Sequence, residues 1–365
     1  MWVALVVVSP RLHRRKVGGG HFASQVSSRW AARSLAIAAL LLIGLSGCSS
    51  EKPSGGTPGG EGPRDKRTSR QQASGLGKDF TYDLTEFRKV DPKLIEYDEA
   101  GTIETGLREP RGLAVDAQDK VYVAGDEAVL VFGSGGTRQA ELAVGGQPRC
   151  LAVAADGTLY VGMKDHVEVF DPKGARKAAW KSLGEKAVLT SIAASEGNVF
   201  VADAGNRVAV RYDPSGKPLG LIGKKDEKRN VPGFIIPSPH FDLAMGREGL
   251  LWVVNPGRHK LQAYTADGDL EASWGKPSPA IEGFSGCCNP TDFALLPDGR
   301  FVTSEKGLPR VKVYTAEGNF ECVVAGPDQF SKQAEGLDLA VDSEGRILVL
   351  DPVAKKVRTF VRKPK

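Results

Sequence analysis

Residues 286–326 read GCCNPTDFALLPDGRFVTSEKGLPRVKVYTAEGNFECVVAG and predict four short antiparallel strands. Four runs of strand length are apolar or β-branched, namely Phe293 to Leu296, Phe301 to Ser304, Val311 to Tyr314 and Phe320 to Val324. The dipeptides Asp298-Gly299 and Glu317-Gly318 between them are typical of tight turns. A sheet of only four such strands cannot bury both of its faces, so it must stack against copies of itself.

The copies become visible when the apolar triplet of each first strand is aligned. Six triplets recur, at steps of 38, 41, 51, 50 and 46 residues. They are Leu113-Ala114-Val115, Leu151-Ala152-Val153, Ile192-Ala193-Ala194, Leu243-Ala244-Met245, Phe293-Ala294-Leu295 and Leu339-Ala340-Val341. These steps match the roughly 40 to 50 residues of a propeller blade. The sequence therefore predicts an all-β fold, a six-bladed β-propeller with four-stranded antiparallel blades.

The sixth unit lacks a fourth strand, because the chain ends at Lys365, soon after the run Val357 to Phe360. An open ring would leave an unpaired strand edge, which closed architectures avoid. Upstream of the first unit, two short runs flank Ala100-Gly101 in the style of a connection between a third and a fourth strand. We therefore predict that an N-terminal strand, Thr102 to Leu107, pairs with Val357 to Phe360 and closes the ring.

The first part of the chain does not follow this repeat. Leu35 to Gly47 is an apolar run of 13 residues, shorter than the roughly 20 residues that a membrane-spanning helix needs. It follows basic residues and ends at Cys48, which is typical of a signal peptide with small residues at its cleavage site. The pattern resembles the lipobox of bacterial lipoproteins, and an uncleaved anchor is the alternative. The resemblance implies a lipid on Cys48 and a place at the periplasmic face of the cell envelope, with Ser49 favouring the outer membrane.

Residues 49–78 are predicted to form a flexible linker, because they are rich in Gly, Pro, Ser, Lys and Arg and almost lack large apolar residues. The formal net charge is +5, and part of it comes from this linker and the leader. The repeats contain no basic stripe with interleaved aromatic residues, so we predict no nucleic-acid partner. The predicted domains are a leader (1–48), a linker (49–78) and a propeller (79–365).

The repeat unit resembles the NHL repeat family of six-bladed β-propellers. The resemblance is clearest in residues 110–116, PRGLAVD, and residues 201–208, VADAGNRV, and it covers about 109–361. The family includes binding platforms, sensor domains and a few enzymes. The resemblance therefore implies a scaffold and leaves the function open.

The mouth of the central channel is the predicted ligand site, since the first strand of each blade lines the channel. The residues just before the six triplets are Gly112, Cys150, Ser191, Asp242, Asp292 and Asp338. One position earlier, Arg111 and Arg149 lie on the first two blades. Carboxylates on one half and guanidiniums on the other can orient a small polar ligand, and a protein partner is a further possibility. Alternatively, the Asp side chains accept backbone N–H groups and pair with the arginines to close the channel.

A propeller enzyme is the alternative to a binding module. The NHL-type lyase that cleaves peptidyl-hydroxyglycines is similar in architecture and places one zinc-binding His at the first-strand entry of three blades. Here only His240 comes close, and one His cannot form a three-ligand site unless His166 and His259 supplement it. A sugar-lactone hydrolase instead coordinates a hard cation through Glu, Asn and Asp oxygens. Residues of that type are Glu335, Asn289 and Asp242. The sequence leaves any metal or cofactor unknown.

Cys287 and Cys288 immediately precede the first strand of the fifth blade and are therefore predicted at the channel mouth, among the ligand-binding residues. Cys322 lies on the outermost strand of that blade, three strand spacings of about 4.8 Å away, and Cys150 begins the opposite blade. In an oxidising compartment the remaining disulfide joins the two neighbours. Their Cα atoms, about 3.8 Å apart, would make that ring strained and easily reduced. Two reduced thiols, packed as small apolar groups, are the alternative.

Overall fold

The computed structural model describes residues 85–364, which form six antiparallel sheets of four strands. After strand β1 (Tyr97–Glu104), the first three blades follow in chain order. Their strands are β2 (Pro110–Val115), β3 (Val121–Gly125), β4 (Ala128–Phe132) and β5 (Arg138–Ala143), then β6 (Cys150–Val153), β7 (Leu159–Gly162), β8 (Val167–Phe170) and β9 (Arg176–Ala179), then β10 (Leu189–Ser195), β11 (Asn198–Asp203), β12 (Val208–Tyr212) and β13 (Pro218–Ile222).

The last three blades complete the all-β fold. Their strands are β14 (Leu243–Met245), β15 (Leu251–Asn255), β16 (Lys260–Tyr264) and β17 (Leu270–Trp274), then β18 (Asp292–Leu295), β19 (Phe301–Ser304), β20 (Val311–Tyr314) and β21 (Phe320–Ala325), then β22 (Asp338–Val341), β23 (Ile347–Asp351) and β24 (Lys356–Arg362). The helices among the described residues are single 3-10 turns at Glu86–Arg88, Pro92–Leu94, Pro256–Arg258 and Pro327–Gln329. Each first strand contacts the next, and β22 contacts β2, so the six blades form a ring. The predicted six-bladed propeller is confirmed.

The fifth blade shows why the local sequence gives this sheet. Its four strands lie within one residue of their predicted positions at every end. Gly318, in the turn between β20 and β21, has a φ of +82°. A Cβ at this position would lie 2.4 Å from the Trp274 ring. Glycine is therefore needed both for the left-handed turn and for its close packing against the fourth blade.

The ring closes through β1, which pairs with β24 at the outer edge of the sixth blade. Thr102 lies opposite Arg358 and Ile103 opposite Val357, so the predicted closure by an N-terminal strand is confirmed. The predicted bounds are wrong, because β1 begins at Tyr97 and ends before Leu107. The predicted turn at Ala100-Gly101 is instead a bulge inside one strand, where the register shifts. The available partner, β24, keeps both halves of β1 in a single ladder.

The hydrophobic core lies between adjacent blades. Trp252 of the fourth blade packs edge-on against Phe301 of the fifth, with ring centroids 4.8 Å apart. Trp180, which follows the second blade, lies 4.7 Å from Tyr212 of the third. Such pairs add stability beyond the burial of their area. Each blade therefore depends on its neighbours, as the repeat pattern predicts.

The described residues contain no helix that is both long and apolar enough to cross a membrane. The predicted leader, the linker and Cys48 lie outside the described residues. Their assignment therefore stays a prediction from the sequence.

Candidate functional site

A cavity of about 240 Å³ lies at the mouth of the channel, on the face where the first strands begin. It leads into a channel of about 410 Å³, lined mostly by aliphatic residues of the six first strands. Six predicted ligand-binding residues line the mouth, namely Arg111, Arg149, His240, Asp242, Asp292 and Asp338. Cys287 and Cys288 are not among the residues that line it. The structure thus separates the cysteine pair from the other predicted site residues.

The three aspartates at the mouth connect neighbouring blades. Each carboxylate accepts the N–H of the first apolar residue in the next first strand. The bonds run from Phe293 N to Asp242 Oδ2 (2.9 Å), from Leu339 N to Asp292 Oδ1 (3.0 Å) and from Leu113 N to Asp338 Oδ2 (2.7 Å). The sequence analysis left this backbone-bonding role open as an alternative; the pairing of these aspartates with the two arginines, which it also considered, does not occur among residues 85–364. One oxygen of each carboxylate thereby bonds blade four to five, blade five to six and blade six to one.

Burial disfavours the charged forms of these carboxyls. Desolvation raises the pKa of Asp242 to about 6. Desolvation, together with the charge of Asp242, raises the pKa of Asp338 to about 7. The same two causes, with Asp338 added, hold the pKa of Asp292 well above its ordinary value. At neutral pH the trio therefore retains bound protons and carries less negative charge than three ordinary aspartates.

Replacing Asp338 with Asn is expected to flatten the pH dependence of stability. The folded carboxyl, with a pKa of about 7, holds a proton that the unfolded one, near 3.8, has released. Its contribution to the free energy of unfolding is therefore greatest below about pH 4 and is lost as the pH rises to about 7. We expect Asp338→Asn, which keeps an acceptor for Leu113 N–H, to lose less stability over this range in urea unfolding. Asp328→Asn, at an exposed position, is the control. Parallel pH profiles for Asp338→Asn and the parent would contradict the prediction.

The two arginines form the opposite wall of the cavity. Arg111 pairs at the rim with Glu109, with Nη2 and Oε2 2.7 Å apart. Arg149 is partly buried and has no acidic partner within ion-pair distance among residues 85–364. Desolvation and the nearby charge of Arg111 lower the pKa of Arg149. This wall therefore favours an anionic group as the missing partner.

His240 faces the cavity from the loop before β14. Desolvation, followed by the charge of Lys306, lowers its pKa to about 4, so its imidazole is neutral at pH 7. It packs against Gly336, where a Cβ would lie 2.6 Å from the His240 Cε1 atom. Sequence reasoning did not single out Gly336 or Pro352, which also line the cavity. Both lie outside the aligned triplets, in connections that the repeat alignment does not place.

Of the residues considered as metal ligands, His240, Asp242 and Glu335 line the mouth, whereas Asn289, His166 and His259 lie in separate contacts. Asn289 is buried and uses its amide to hold its own loop, donating to Ser285 O (2.7 Å) and Lys306 O (3.0 Å). His166 contacts Asp165, with Nδ1 and Oδ1 2.8 Å apart, and His259 Nε2 contacts the Gly286 carbonyl at 2.8 Å.

Within residues 85–364, one group of three potential ligand side chains has its atoms within 4.8 Å of one another, namely Glu96, Glu321 and Cys322. Arg362 Nη2 lies 2.5 Å from Glu96 Oε2 and 2.6 Å from Glu321 Oε1. The guanidinium therefore neutralises both carboxylates, and this group lies apart from the mouth.

A buried ion cluster anchors the long connection between β17 and β18. Glu305 binds Arg310 through two hydrogen bonds (2.7 and 2.9 Å) and lies 2.9 Å from the Lys312 ammonium. Lys312 also donates to the carbonyls of Ile281 (3.1 Å) and Gly283 (2.6 Å) in that connection. All three charged side chains are at most 1% exposed. The cluster thereby fixes the segment that carries Cys287 and Cys288.

Comparison with known proteins supports the fold. No family model and no curated protein matches the sequence. Virginiamycin B lyase from Staphylococcus aureus superposes with a TM-score of 0.51 at 13% identity, covering 73% of this chain and 99% of that one. A catalytically inactive variant of that lyase with quinupristin gives 0.50 at 13% identity, covering 73% and 98%. The chain is a six-bladed propeller similar in fold to virginiamycin B lyase. At this identity the likeness shows the architecture alone.

Proposed function

We propose that this protein is a binding module that takes a small anionic ligand at the channel mouth. The observation that supports this most directly is the pair of guanidiniums on one wall of the cavity, where Arg149 lacks an acidic partner among the described residues. Charge-assisted hydrogen bonds from arginine suit carboxylate and phosphate groups. The aspartate trio, partly protonated and bonded to the backbone, repels such a ligand less than three free carboxylates would.

Replacing Arg149 with Met is expected to weaken the binding of a small anion by about 10- to 100-fold, because a hydrogen bond to a charged group contributes about 1.5–3 kcal/mol. Calorimetric titration with succinate and with inorganic phosphate measures this. Arg247→Met is the matched control, since Arg247 is exposed at a separate cavity of about 350 Å³ near the other end of the first strands. Equal weakening in both variants, or no binding of either anion to the parent, would overturn the proposal.

We further propose that the domain is of the NHL type and extracytoplasmic, as a lipoprotein at the periplasmic face of a bacterial outer membrane. Support for the NHL resemblance comes from Asp203 in the VADAGN motif. Its carboxylate accepts the N–H groups of Val188 (3.0 Å) and Asn206 (3.1 Å), so the motif ties a turn to the preceding loop. Support for the anchor comes from the apolar run Leu35 to Gly47, which directly precedes Cys48.

The mature protein is expected to begin at Cys48 and to carry lipid there. An acyl chain contributes about 0.8 kcal/mol per buried CH₂, and stable anchoring takes more than one chain. Mass spectrometry of the mature N-terminus tests the assignment, with Cys48→Ser as the control that should release the protein from membranes. An unmodified Cys48, or a chain that begins elsewhere, would contradict it.

An enzyme of the metal-dependent lyase or lactone hydrolase type at the same mouth is the second candidate. The observation in its favour is a neutral His240 lining the same cavity as Asp338, whose pKa of about 7 suits proton transfer. Because the similar fold is that of a virginiamycin B lyase, quinupristin is a direct substrate to test. Turnover that His240→Ala abolishes, with a stoichiometric metal lost in Asp242→Asn or Asp292→Asn, would favour the enzyme. The binding proposal expects neither.

A further inference from the structure

Cys287 and Cys288 form a contact pair outside the ligand cavity. Their sulfur atoms lie 3.0 Å apart, close enough for one thiol to donate to the other. Cys287 is exposed, whereas Cys288 is only 4% exposed. The adjacent residues therefore present one sulfur to solvent and keep the other directly behind it.

The inner sulfur has a polar and positively charged environment. Lys306, which follows β19, extends to Ser238 in the loop before β14, with Nζ and Oγ 2.9 Å apart. Both of these groups also hydrogen-bond to the Cys288 sulfur. Burial alone would raise the pKa of Cys288, but the hydrogen bonds from Cys287 and Ser238 and the charge of Lys306 outweigh it and lower this pKa. The hydrogen bond to Cys288, followed by desolvation, raises the pKa of Cys287.

At the other two cysteines in this part of the chain, burial outweighs the neighbouring positive charges. Cys150 and Cys322 are buried, 5% and 0% exposed, and desolvation is the main cause that raises the pKa of each thiol. A buried thiol with a raised pKa is inert, whereas a thiolate beside a lysine is reactive. The contrast singles out the 287–288 pair as the place for thiol chemistry.

We propose that Cys287 and Cys288 are a reversible redox site that reduces a low-molecular-weight disulfide, with Cys287 as the entry thiol and Cys288 as the resolving thiolate. Cys287 passes its proton to the Cys288 thiolate across their 3.0 Å contact, and the resulting Cys287 thiolate attacks one sulfur of R–S–S–R. The first R–S group leaves as a thiolate and takes that proton from Cys288 as RSH, which restores the Cys288 thiolate. The Cys288 thiolate then attacks Cys287 Sγ in the mixed disulfide, and the second R–S group leaves as a thiolate. The protein loses two electrons and gains a disulfide between neighbours, while R–S–S–R is reduced to two thiols.

The short distance between the two cysteines also favours the reverse reaction, the reduction of the disulfide. Neighbouring Cα atoms are about 3.8 Å apart, shorter than the usual disulfide range. The resulting ring is therefore strained and readily reduced by excess thiol. The observations behind this proposal do not include the ligand at the channel mouth, so neither proposal rests on the other.

The test is equilibration of the purified protein with glutathione and glutathione disulfide, followed by acid quenching, alkylation in denaturant and mass spectrometry. We expect the 287–288 peptide to lose both labels in the oxidised buffer and to regain them in excess glutathione, while Cys150 and Cys322 stay labelled. Cys288→Ser should accumulate a glutathione adduct on Cys287, and Cys287→Ser should form none. Two labels on the 287–288 peptide of the parent in oxidised buffer would overturn the proposal, as would a stable adduct on Cys288.

Lys306 is a positioning residue in this scheme, and its role has its own readout. Lys306→Met is expected to slow the decay of the mixed disulfide about tenfold, by reducing the thiolate fraction of Cys288, and to shift the pH profile of that rate upward. Lys306→Arg, which keeps the charge, should restore most of the rate. Lys276→Met, which alters an exposed lysine in the connection between β17 and β18 that also carries the two cysteines, is the control. An unchanged pH profile in Lys306→Met would refute the role of Lys306.

Discussion

A chain that lacks every residue up to Leu107 is expected to lose the cooperative thermal unfolding of the propeller. The deletion removes β1 and leaves β24 as an unpaired edge in the sixth blade. It also removes the buried side chains of Tyr97, Ile103 and Leu107, which are 3%, 8% and 6% exposed. At about 1.5–3 kcal/mol for each buried large apolar side chain, the loss is about 5–9 kcal/mol. Native domains are stable by only about 5–15 kcal/mol, so most or all of the stability disappears.

Circular dichroism melting measures this loss. A chain that begins at Thr85 is the matched control and is expected to melt like the parent, because it keeps β1 and both 3-10 turns before it. Glu99→Gln, which removes a partly exposed ion pair with Arg358, should shift the midpoint only slightly. If the chain truncated at Leu107 melted with the same midpoint as the parent, the closure by β1 would be wrong.

The repeat predicted the blades well because local and tertiary signals agree there. In the fifth blade, apolar runs separated by Asp-Gly and Glu-Gly turns fix both the strand ends and the register. The closing strand was predicted with wrong bounds because Ala100-Gly101 is compatible with either a turn or a bulge. Its conformation is decided by pairing with β24, more than 250 residues away in the chain, and local patterns do not contain that information.

The candidate site also contains features that the sequence predicted and features that it did not. Asp242, Asp292 and Asp338 occupy one equivalent position in three repeats, so their convergence followed from the alignment alone. Their hydrogen bonds to the next blade and the raised pKa values depend on burial, which the alignment did not give. Adjacency to a first strand was not enough to place Cys287 and Cys288 in the mouth. The connection between β17 and β18, which carries them, is held by Glu305, Arg310 and Lys312. Nothing in the repeat pattern distinguishes these three charged residues from solvent-exposed ones.

Lys312 shows why the position of this connection could not be predicted from the sequence. It alternates with Val311 and Val313 in β20, so it has the pattern of a residue on a solvated face. In the structure its ammonium is buried against Glu305 and lies 4.9 Å from the Phe284 ring centroid. The connection between β17 and β18 covers the face of the fifth blade that would otherwise be exposed. The burial of Lys312 therefore becomes apparent only in the folded structure.

Replacing Glu305 with Gln is expected to destabilise the protein by about 3–5 kcal/mol, the cost of leaving buried charges unpaired. The neutral amide leaves two buried cations, Arg310 and Lys312, without their carboxylate, although it keeps the size of the side chain. Urea unfolding measures the difference. Glu227→Gln is the control, because the Lys225–Glu227 pair is exposed and its loss should change stability by less than about 1 kcal/mol.

The pH dependence of this loss distinguishes unpaired charge from a mere packing defect. Desolvation already lowers the pKa of Lys312 to about 8, despite the opposing charge of Glu305. Removing that charge lowers it further, so Lys312 in the variant becomes neutral at lower pH and relieves part of the penalty. We therefore expect the destabilisation to shrink between about pH 6 and pH 8, where Lys312 loses its proton in the variant but keeps it in the parent, while the penalty from Arg310 remains. A loss that stays constant over this range would contradict the electrostatic explanation.

The triple variant Glu305→Leu, Arg310→Met and Lys312→Met completes the argument. Replacing a whole buried ion cluster with apolar residues of similar volume is often neutral or stabilising, whereas breaking it by removing one partner is not. We expect the triple variant to recover most of the stability lost in Glu305→Gln. The carbonyls of Ile281 and Gly283 would lose the Lys312 ammonium, and Ser285 N–H would lose the Glu305 carboxylate at 2.8 Å. The connection that carries Cys287 should therefore loosen, with faster alkylation of Cys288 in the folded protein. Slow alkylation in a stable triple variant would show that packing, and not the ion cluster, holds this segment in place.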